Sequence, residues 1–454
     1  MRSAPTTALL TCGFAILWAL AGCATHLDRL QPVRDSFFAG NVDQARTLVE
    51  QAEKKRGDRD VLKLDRAMIE LASGRPKEAE RLLREARDRF DHLEQKSLAE
   101  DAASLAADDT LRSYAGEDYE KVLIRVMLAL SNLMADGGDA SAYALQITEK
   151  QEQIAQRLET KDIDAQLRMQ AYKQIALGPY IRAMIAEESP LTLDDAVRAR
   201  VQVASFAPEF RDGKSDLQRA QHEVPIPPGH GVLYVFALVG RGPVKEEVHE
   251  VATQAALLVA DRIVSANANR GLPPTLAPVP IPKVVTFSPA VQSIGVQVDG
   301  AAVGRTATIV DIGHMASLQQ EARYPEILGR AVARRVLKKG AIYAVKEGVD
   351  AEPWSPESIA LNLVGIAWEA TERADLRCWG LLPDQIQVLR VTLPAGEHDI
   401  ALQPDIARQS DGRSMPLGPV AQTRVRIHDG RNAYLLGCFP DWQLVGQLLT
   451  SGGE

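Results

Sequence analysis

Two stretches of the chain repeat one pattern at a fixed distance. Gly40 is followed by Ala45, and Gly74 is followed by Ala79, so that each position recurs 34 residues later. A glycine adopts the positive φ of a tight turn without strain, and a small alanine lets two helices approach closely. A repeat of this length is typical of stacked helical pairs, in which each pair buries its apolar face only against its neighbours.

The repeat predicts an N-terminal array of helical pairs. Two clear pairs are predicted, residues 27–39 with 42–54 and 60–73 with 76–90, and two weaker pairs follow, residues 130–135 with 140–158 and 167–187 with 193–207. The 34-residue period resembles that of the tetratricopeptide repeat. This resemblance implies a helical repeat domain over residues 23–223, and a plain helical bundle with a coincidental spacing is the alternative.

A different character begins after a proline-rich linker at residues 224–230. Residues 231–240 are almost continuously apolar, which is typical of a buried strand. Helices are predicted at residues 248–266, 324–339 and 356–373, and a strand at residues 293–298 is expected to pair with residues 306–312 across a turn at Asp299 and Gly300. Residues 231–375 are therefore predicted to form an α+β domain.

The last part of the chain, residues 376–454, is predicted to be an antiparallel β region. Strands at residues 385–393 and 399–402 flank Gly396, and strands at residues 422–427 and 432–436 flank Gly430. Each pair is interpreted as a hairpin, because glycine supplies the positive φ that such turns need. The predicted fold class is α+β and multidomain: an N-terminal α-helical, tetratricopeptide-like array, then an α+β domain ending in antiparallel β-strands.

The first residues of the chain predict a lipoprotein signal peptide. The apolar run at residues 8–20 follows a positive charge and is too short to cross a membrane core of roughly 30 Å, but it is typical of a secretory segment. Residues 20–23 (LAGC) resemble the lipobox of bacterial lipoproteins. The resemblance implies that residues 1–22 are removed and that Cys23 carries the lipid, palmitate included. The alternative is an ordinary signal peptide with a chance cysteine.

The residue after the lipobox bears on localisation. Position 24 is Ala24, whereas an Asp there resembles the inner-membrane retention signal of enteric bacteria. Its absence favours the outer membrane. We therefore expect a lipid-anchored protein on the periplasmic side of the outer membrane.

Two further motifs carry a wider resemblance. Residues 240–245 (GRGPVK) and 375–383 (DLRCWGLLP), together with the lipobox and the repeat pair, are similar to a family of uncharacterised lipoproteins of Gram-negative bacteria. The similarity covers most of the chain after residue 23. It implies no activity and transfers no catalytic residue.

The sequence contains no strong catalytic motif, and it suggests no catalytic residue, no metal site and no cofactor. Residues 240–245 follow a predicted strand but lack the third glycine of a dinucleotide-binding loop, so a strand-ending turn is favoured over a phosphate loop. The formal net charge of −8 gives no electrostatic basis for binding nucleic acid.

Two thiols remain once the signal peptide is removed and Cys23 is acylated. Cys378 and Cys438 could form one disulfide in an oxidising periplasm. Two separate buried thiols are an alternative, and so is a reactive cysteine, which would need a nearby base and an electropositive environment.

The predicted helix at residues 324–339 has a strongly patterned surface. Apolar residues fall on one arc at 100° per residue, and five cations fall on the opposite arc: Arg330, Arg334, Arg335, Lys338 and Lys339. Burial of the apolar arc would leave the cations outward. The stripe is interpreted as a solvated face, with an anionic contact such as lipid headgroups as the alternative.

These features favour an interaction protein over an enzyme. Helical repeats build a concave surface that binds extended peptides or other proteins. We therefore expect a non-enzymatic scaffold of the bacterial cell envelope that is held at the membrane by its lipid and binds a protein or peptide partner through its repeats. An envelope enzyme with a site in the α+β half, or a module that binds carbohydrate or peptidoglycan, is the alternative.

Replacing Cys23 with Ser tests the predicted anchor. Because several acyl chains hold a protein stably and none can be attached to serine, we expect the variant to leave the membrane fraction and to lose incorporation of a fatty-acid analogue. The wild type should be labelled and should sediment with membranes. An unlabelled wild-type protein would contradict the prediction.

Overall fold

The computed structural model describes residues 26–54, 58–100, 113–159, 164–222, 226–267, 272, 277–348, 355, 358, 372–406 and 418–451. Its helices are α1 His26–Phe38, α2 Val42–Glu53, α3 Arg59–Ala72, α4 Pro76–Glu100, α5 Asp118–Ala135, α6 Ala140–Glu159, α7 Ala165–Ala171, α8 Leu177–Ala186, α9 Leu193–Phe206, α10 Gly213–Gln221, α11 Gln254–Asn267 and α12 Ile312–Gly348. Within these residues, no helix combines the length and the apolar character that a membrane span requires.

The N-terminal helices stack in chain order. From α1 to α6 each helix packs against the next, and α6 continues the row through α8, α9 and α10. The first helices of the pairs are the interior ones: α5 is buried from Asp118 to Met134, whereas α2 buries only Ala45 and Val49. The predicted helical array is confirmed as an arrangement of helices, and its tetratricopeptide geometry stays a prediction.

The two repeat turns have the same local structure. Gly40 and Gly74 both adopt a positive φ, of 84° and 77°. Each donates its N–H to the carbonyl three residues earlier, and the residue after each donates to the carbonyl five residues earlier, as in a Schellman helix end. Ala45 and Ala79, five residues further on, are fully buried. The spacing therefore predicted both turns and the helices beside them correctly.

Eleven strands in the described residues form three sheets. They are β1 His230–Val239, β2 Val244–Glu250, β3 Val279–Val285, β4 Val291–Val298, β5 Ala301–Arg305, β6 Ala307–Asp311, β7 Gln385–Pro394, β8 Gly396–Ile406, β9 Ala421–Ile427, β10 Asn432–Phe439 and β11 Val445–Thr450. The orders are β11-β10-β1-β7-β6, β5-β4-β8-β9 and β2-β3. All pairings are antiparallel except that of β1 with β10.

The five-stranded sheet lies between the helices and the four-stranded sheet. On β1, Tyr234 and Phe236 pack into the core shared with the helical array. The alternate residues Leu233 and Val235 pack against the four-stranded sheet. A strand covered on both faces needs apolar residues at every position, which is why β1 is the continuous apolar run of the sequence. The α+β fold class is confirmed.

The β2–β3 ribbon forms a smaller core with α11 and α12. Ile281 of β3, Ala256 of α11 and Leu328 of α12 are buried together. Gly329 permits the close helix contact, since a Cβ there would lie 2.7 Å from the Cβ of Val259. The predicted helix at residues 248–266 begins too early, because residues 248–250 belong to β2.

The three predicted hairpins are wrong in part or whole. Asp299 and Gly300 form the expected turn, with φ of 51° and 82°, but the partner of β4 is β5, and residues 307–311 leave for the five-stranded sheet. β7 and β8 lie in different sheets, and so do β9 and β10. The chain passes between layers at these short connections, and a glycine turn signal does not distinguish such a corner from a reversal.

The predicted boundary between residues 375 and 376 does not separate two units. The five-stranded sheet combines β1 and β6 with β7, β10 and β11, and the four-stranded sheet combines β4 and β5 with β8 and β9. Strand pairing across the boundary is therefore the core of both sheets. The predicted signal peptide lies outside the described residues, as does most of the predicted helix at residues 356–373.

The basic stripe on α12 is not an outward face. Arg334 and Arg335 are buried, and Arg335 donates to Glu372 at 2.7 Å and to the carbonyl of Ala277 at 3.2 Å. Arg330 pairs with Glu326 at 3.1 Å. The expectation of five outward cations is wrong, because returning parts of the chain cover this side of the helix and supply carboxylate and carbonyl acceptors.

The last strand packs tightly against the second repeat turn. Gly446 has a φ of 76°, and a Cβ at this position would lie 1.9 Å from the backbone oxygen of Ala72. The neighbouring Gln447 donates from Nε2 to the carbonyl of Ser73 at 3.1 Å. At the end of α3, the backbone of the array is therefore in direct contact with Gly446 and with the side chain of Gln447 on the last strand.

Gly446→Ala should destabilise the protein more than Gly40→Ala. Both glycines have a positive φ, which costs an alanine about 1–2 kcal/mol, but nothing lies within 4 Å of a Cβ at Gly40. The contact with Ala72 should add a further ~1–3 kcal/mol at Gly446, as overpacking does. Urea unfolding of the two variants measures the difference, and equal losses would contradict the close contact.

Candidate interaction site

An irregular stretch of chain, residues 374–384, lies between the helical array and the five-stranded sheet. We call it the inserted segment. It contains the motif at residues 375–383, and its central side chains are almost inaccessible: Cys378 and Trp379 are fully buried, and Leu381 and Leu382 nearly so. It lies against the first helices of the pairs, α1, α3 and α5, which form what we call the inner face of the array.

Two buried carboxylates on the inner face hold the backbone of the inserted segment. Glu120 of α5 accepts the N–H of Trp379 at Oε1, at 2.7 Å. Asp65 of α3 accepts the N–H of Leu381 at Oδ1, at 2.8 Å. Both carboxyl groups are fully buried, and loss of such an acceptor would leave a buried N–H unsatisfied at a cost of about 1–3 kcal/mol. The array thus holds the inserted segment, which turns at Gly380 and Leu381, by its main-chain donors.

Both carboxyl oxygens of Glu120 accept hydrogen bonds. Its Oε2 accepts the hydroxyl of Tyr114 at 2.5 Å and the N–H of Glu117 at 2.9 Å. The bond to Glu117 is half of a capping box that starts α5. The same side chain therefore begins a helix and binds the inserted segment.

The opposite side of the inserted segment is tied to the sheet. Gly242, in the turn after β1, donates its N–H to the carbonyl of Leu382 at 2.8 Å. The carbonyl of Asp384 accepts the N–H of Ile312 at 2.8 Å, at the start of α12. A Cβ at Gly380 would lie 2.1 Å from Cδ2 of Leu30 on α1. The segment is therefore clamped from the array, from β1 and from α12.

Burial dominates the electrostatics of these carboxyl groups. It raises the pKa of Asp65 well above its usual value, and it also raises the pKa of Glu120. Burial, with the nearby Asp311, raises the pKa of Asp384 to about 7. A raised folded pKa means that stability falls as the pH rises through it, so all three groups favour the folded state more when protonated.

The pKa of the neighbouring Glu117 is shifted in the opposite direction, because Glu117 has cationic partners. Glu117 forms ion pairs with Lys245 of β2 and, at 3.1 Å, with Arg323 of α12. Burial opposes ionisation, but these two cations hold the pKa of Glu117 below its usual value. The three side chains line a cleft of about 30 Å³. This is room for a water molecule or two, and far less than a metabolite needs.

The two predicted disulfide partners are free thiols. Cys378 lies in the inserted segment, and Cys438 lies on β10; both are buried and unbonded. Burial raises the pKa of each thiol to about 12. The disulfide expectation is therefore wrong, and the alternative of two separate buried thiols describes Cys378 and Cys438. Cys23, the predicted lipidation site, lies outside the described residues.

Sequence reasoning missed both Asp65 and Glu120, although Asp65 left a signal. Asp65 lies inside a correctly predicted helix, among Leu62, Met68 and Ile69 on its buried face. A carboxylate on the apolar face of a helix needs a partner that satisfies it. The sequence contained this requirement for Asp65 but gave no means of finding Leu381, 316 residues away.

Among the residues that the structure describes, no group of three or more His, Cys, Asp or Glu side chains could hold a metal ion. The chain matches no protein-family profile, no curated protein and no solved structure.

Glu120→Gln should destabilise the folded protein by about 1–3 kcal/mol. The amide places a donor where one carboxylate oxygen accepted, so at least one buried N–H or O–H is left without an acceptor. Glu78→Gln is the control, since Glu78 lies on the exposed side of α4 and pairs only with Arg81 at the surface. Denaturant unfolding measures both variants, and an equal, near-zero effect would show that Glu120 does not hold the segment.

Proposed function

We propose that this protein is a lipid-anchored, non-enzymatic scaffold of the bacterial cell envelope, on the periplasmic side of the outer membrane. It binds a protein or peptide partner through its helical array. The single observation that carries the proposal is the inserted segment, an irregular piece of chain with a turn at Gly380 and Leu381, which side chains of the inner face hold through its main-chain N–H groups.

The binding mode of the inserted segment supports a recognition role for the array. Asp65 and Glu120 accept backbone donors two residues apart, so the contact depends on the main chain of the segment and not on its side chains. Helical arrays bind peptide segments on their concave side. The inner face is occupied by the inserted segment, so an external partner binds a surface that the segment leaves open.

The array has exposed apolar side chains outside the inner face. Four large apolar side chains of its second half are exposed: Leu145, Met169, Leu191 and Val201. Leu191, in the turn before α9, is 95% exposed and Val201 on α9 is 47% exposed. Apolar groups in water are the usual anchors of an interface.

The proposed anchor would hold this surface close to the membrane. Only three chain steps separate Cys23 from His26, the first residue of α1. An extended chain spans at most about 3.6 Å per residue, so α1 would start within about 11 Å of the lipidated residue. An array tethered so closely presents its partner surface at the membrane.

Site-specific photo-crosslinking in intact cells tests the proposal. A photoreactive residue at Leu191 or Val201 of the full chain should form a covalent adduct with one and the same partner protein. The full chain is required, because a fragment without residues 374–384 would leave Asp65 and Glu120 without the donors that satisfy them.

Val303 supplies the matched control position. It is an exposed apolar residue of similar size, 37% exposed, on β5, an edge strand of the four-stranded sheet. No adduct is expected there. Adducts at Val303 alone would place the partner on the β layers, and the absence of adducts at every position would contradict the scaffold proposal.

A further inference from the structure

Arg34 on α1 is a buried cation without a counter-charge in contact. The residue is 5% exposed, and in the described part of the chain its guanidinium makes no hydrogen bond and no ion pair. Its neighbours are aromatic: Cζ lies 5.5 Å from the ring centre of Phe38 and 5.7 Å from that of Phe287. Its N–H donors thus have two rings beside them and no acceptor among the described residues.

A second arginine lies against the same ring. Cζ of Arg241, in the turn after β1, is 4.5 Å from the ring centre of Phe38. Arg241 pairs with Asp441 at 2.6 Å. Arg241 therefore has its own carboxylate partner, and its charge acts on Arg34 by repulsion.

The acidic groups near Arg34 attract it without contacting its guanidinium. Asp65 is committed to the backbone of the inserted segment, and burial favours its protonated form. Asp35 lies beside Arg34 in the sequence but is exposed and accepts a hydrogen bond from Gln31. Burial lowers the pKa of Arg34 and Arg241 adds to this effect, whereas Asp65 and Asp35 act against it. Removal of a charge from water is costly when no counter-charge contacts it, so a bound anion would stabilise Arg34.

The site has an open side. Phe287 is 37% exposed, and the side chain of Arg241 is 40% exposed. The inserted segment closes the other side, where a Cβ at Gly380 would lie 3.6 Å from Cδ of Arg34. A small group can therefore approach the two guanidinium groups from the side of Phe287 and Arg241.

We propose that Arg34 and Arg241 form a binding site for a small anionic group, a phosphoryl or a carboxylate, which enters beside Phe287. The planar guanidinium fork matches the oxygens of both groups and binds them in pairs of hydrogen bonds. The rings of Phe38 and Phe287 hold Arg34 in place by cation–π contact. The site uses the side chain of the GRGPVK turn rather than a cradle of backbone amides.

Anion-dependent stability of the full chain tests the site. Thermal unfolding is followed while inorganic phosphate or acetate replaces chloride at constant ionic strength. A ligand of the folded state alone raises the unfolding temperature with its concentration, so the wild type should respond to at least one of the two probes. The probe that acts identifies the group, and titration calorimetry with that probe should show one site.

Four variants separate binding from packing. Arg34→Met should abolish the response and leave the anion-free protein as stable as the wild type or more so, because a buried unpaired charge is removed. Arg34→Lys keeps the charge but loses the fork, and it should weaken binding by about tenfold or more. Arg241→Gln should weaken binding as well. Arg198→Met, at an exposed arginine of α9, should respond as the wild type does.

Two results would overturn the proposal. One is a wild type whose unfolding temperature responds to neither phosphate nor acetate. The other is an equal response in the wild type, Arg34→Lys and Arg241→Gln, which would show a general salt effect. Arg34→Lys and Arg241→Gln test the proposal even if Arg34→Met does not fold.

Discussion

The structure depends on two buried carboxylates that accept backbone N–H groups. Asp65 and Glu120 bind the inserted segment from the array, while Gly242 binds it from the sheet. A half-satisfied polar network in a core is worse than an apolar one, so the array and the sheet stabilise each other through residues 374–384. Neither layer has a complete core alone, and the molecule is best regarded as one cooperative unit despite its repeat-like beginning.

The mutual dependence of the array and the sheet determines the order in which parts of the molecule can fold. The bonds to Glu120 and Asp65 join residues 259 and 316 positions apart. The parallel pairing of β1 with β10 is similarly distant. Local helical pairs can form early, but contacts of such separation must first overcome the entropy of closing long loops. The inner face therefore stays without its ligand until nearly the whole chain is present.

The distinction between local and long-range contacts also separates the features that the sequence predicted from those that it did not. Helix boundaries follow local signals, and Gly40 and Gly74 marked their turns correctly. Strand partners are set by distant chain, so the glycine near position 396 suggested a hairpin where β7 and β8 in fact enter different layers. Asp65 on an apolar helix face was visible as an anomaly. Its partner was not, because no local pattern encodes a contact across hundreds of residues.

Carboxyl groups with shifted pKa values often mark a catalytic site. Such a role also requires that a substrate can reach the carboxyl oxygens. The oxygens of Glu120 are occupied by Tyr114, Glu117 and Trp379, and the cleft beside Glu117 has space for little more than water. A general acid or base must reach a substrate proton within hydrogen-bond distance, which these positions do not permit. The pKa values of Asp65 and Glu120 are therefore raised because these groups are buried where they bind the backbone of the inserted segment. Arg34 differs from them, since its donors have no acceptor in the part of the chain that the structure describes and lie near the partly exposed ring of Phe287.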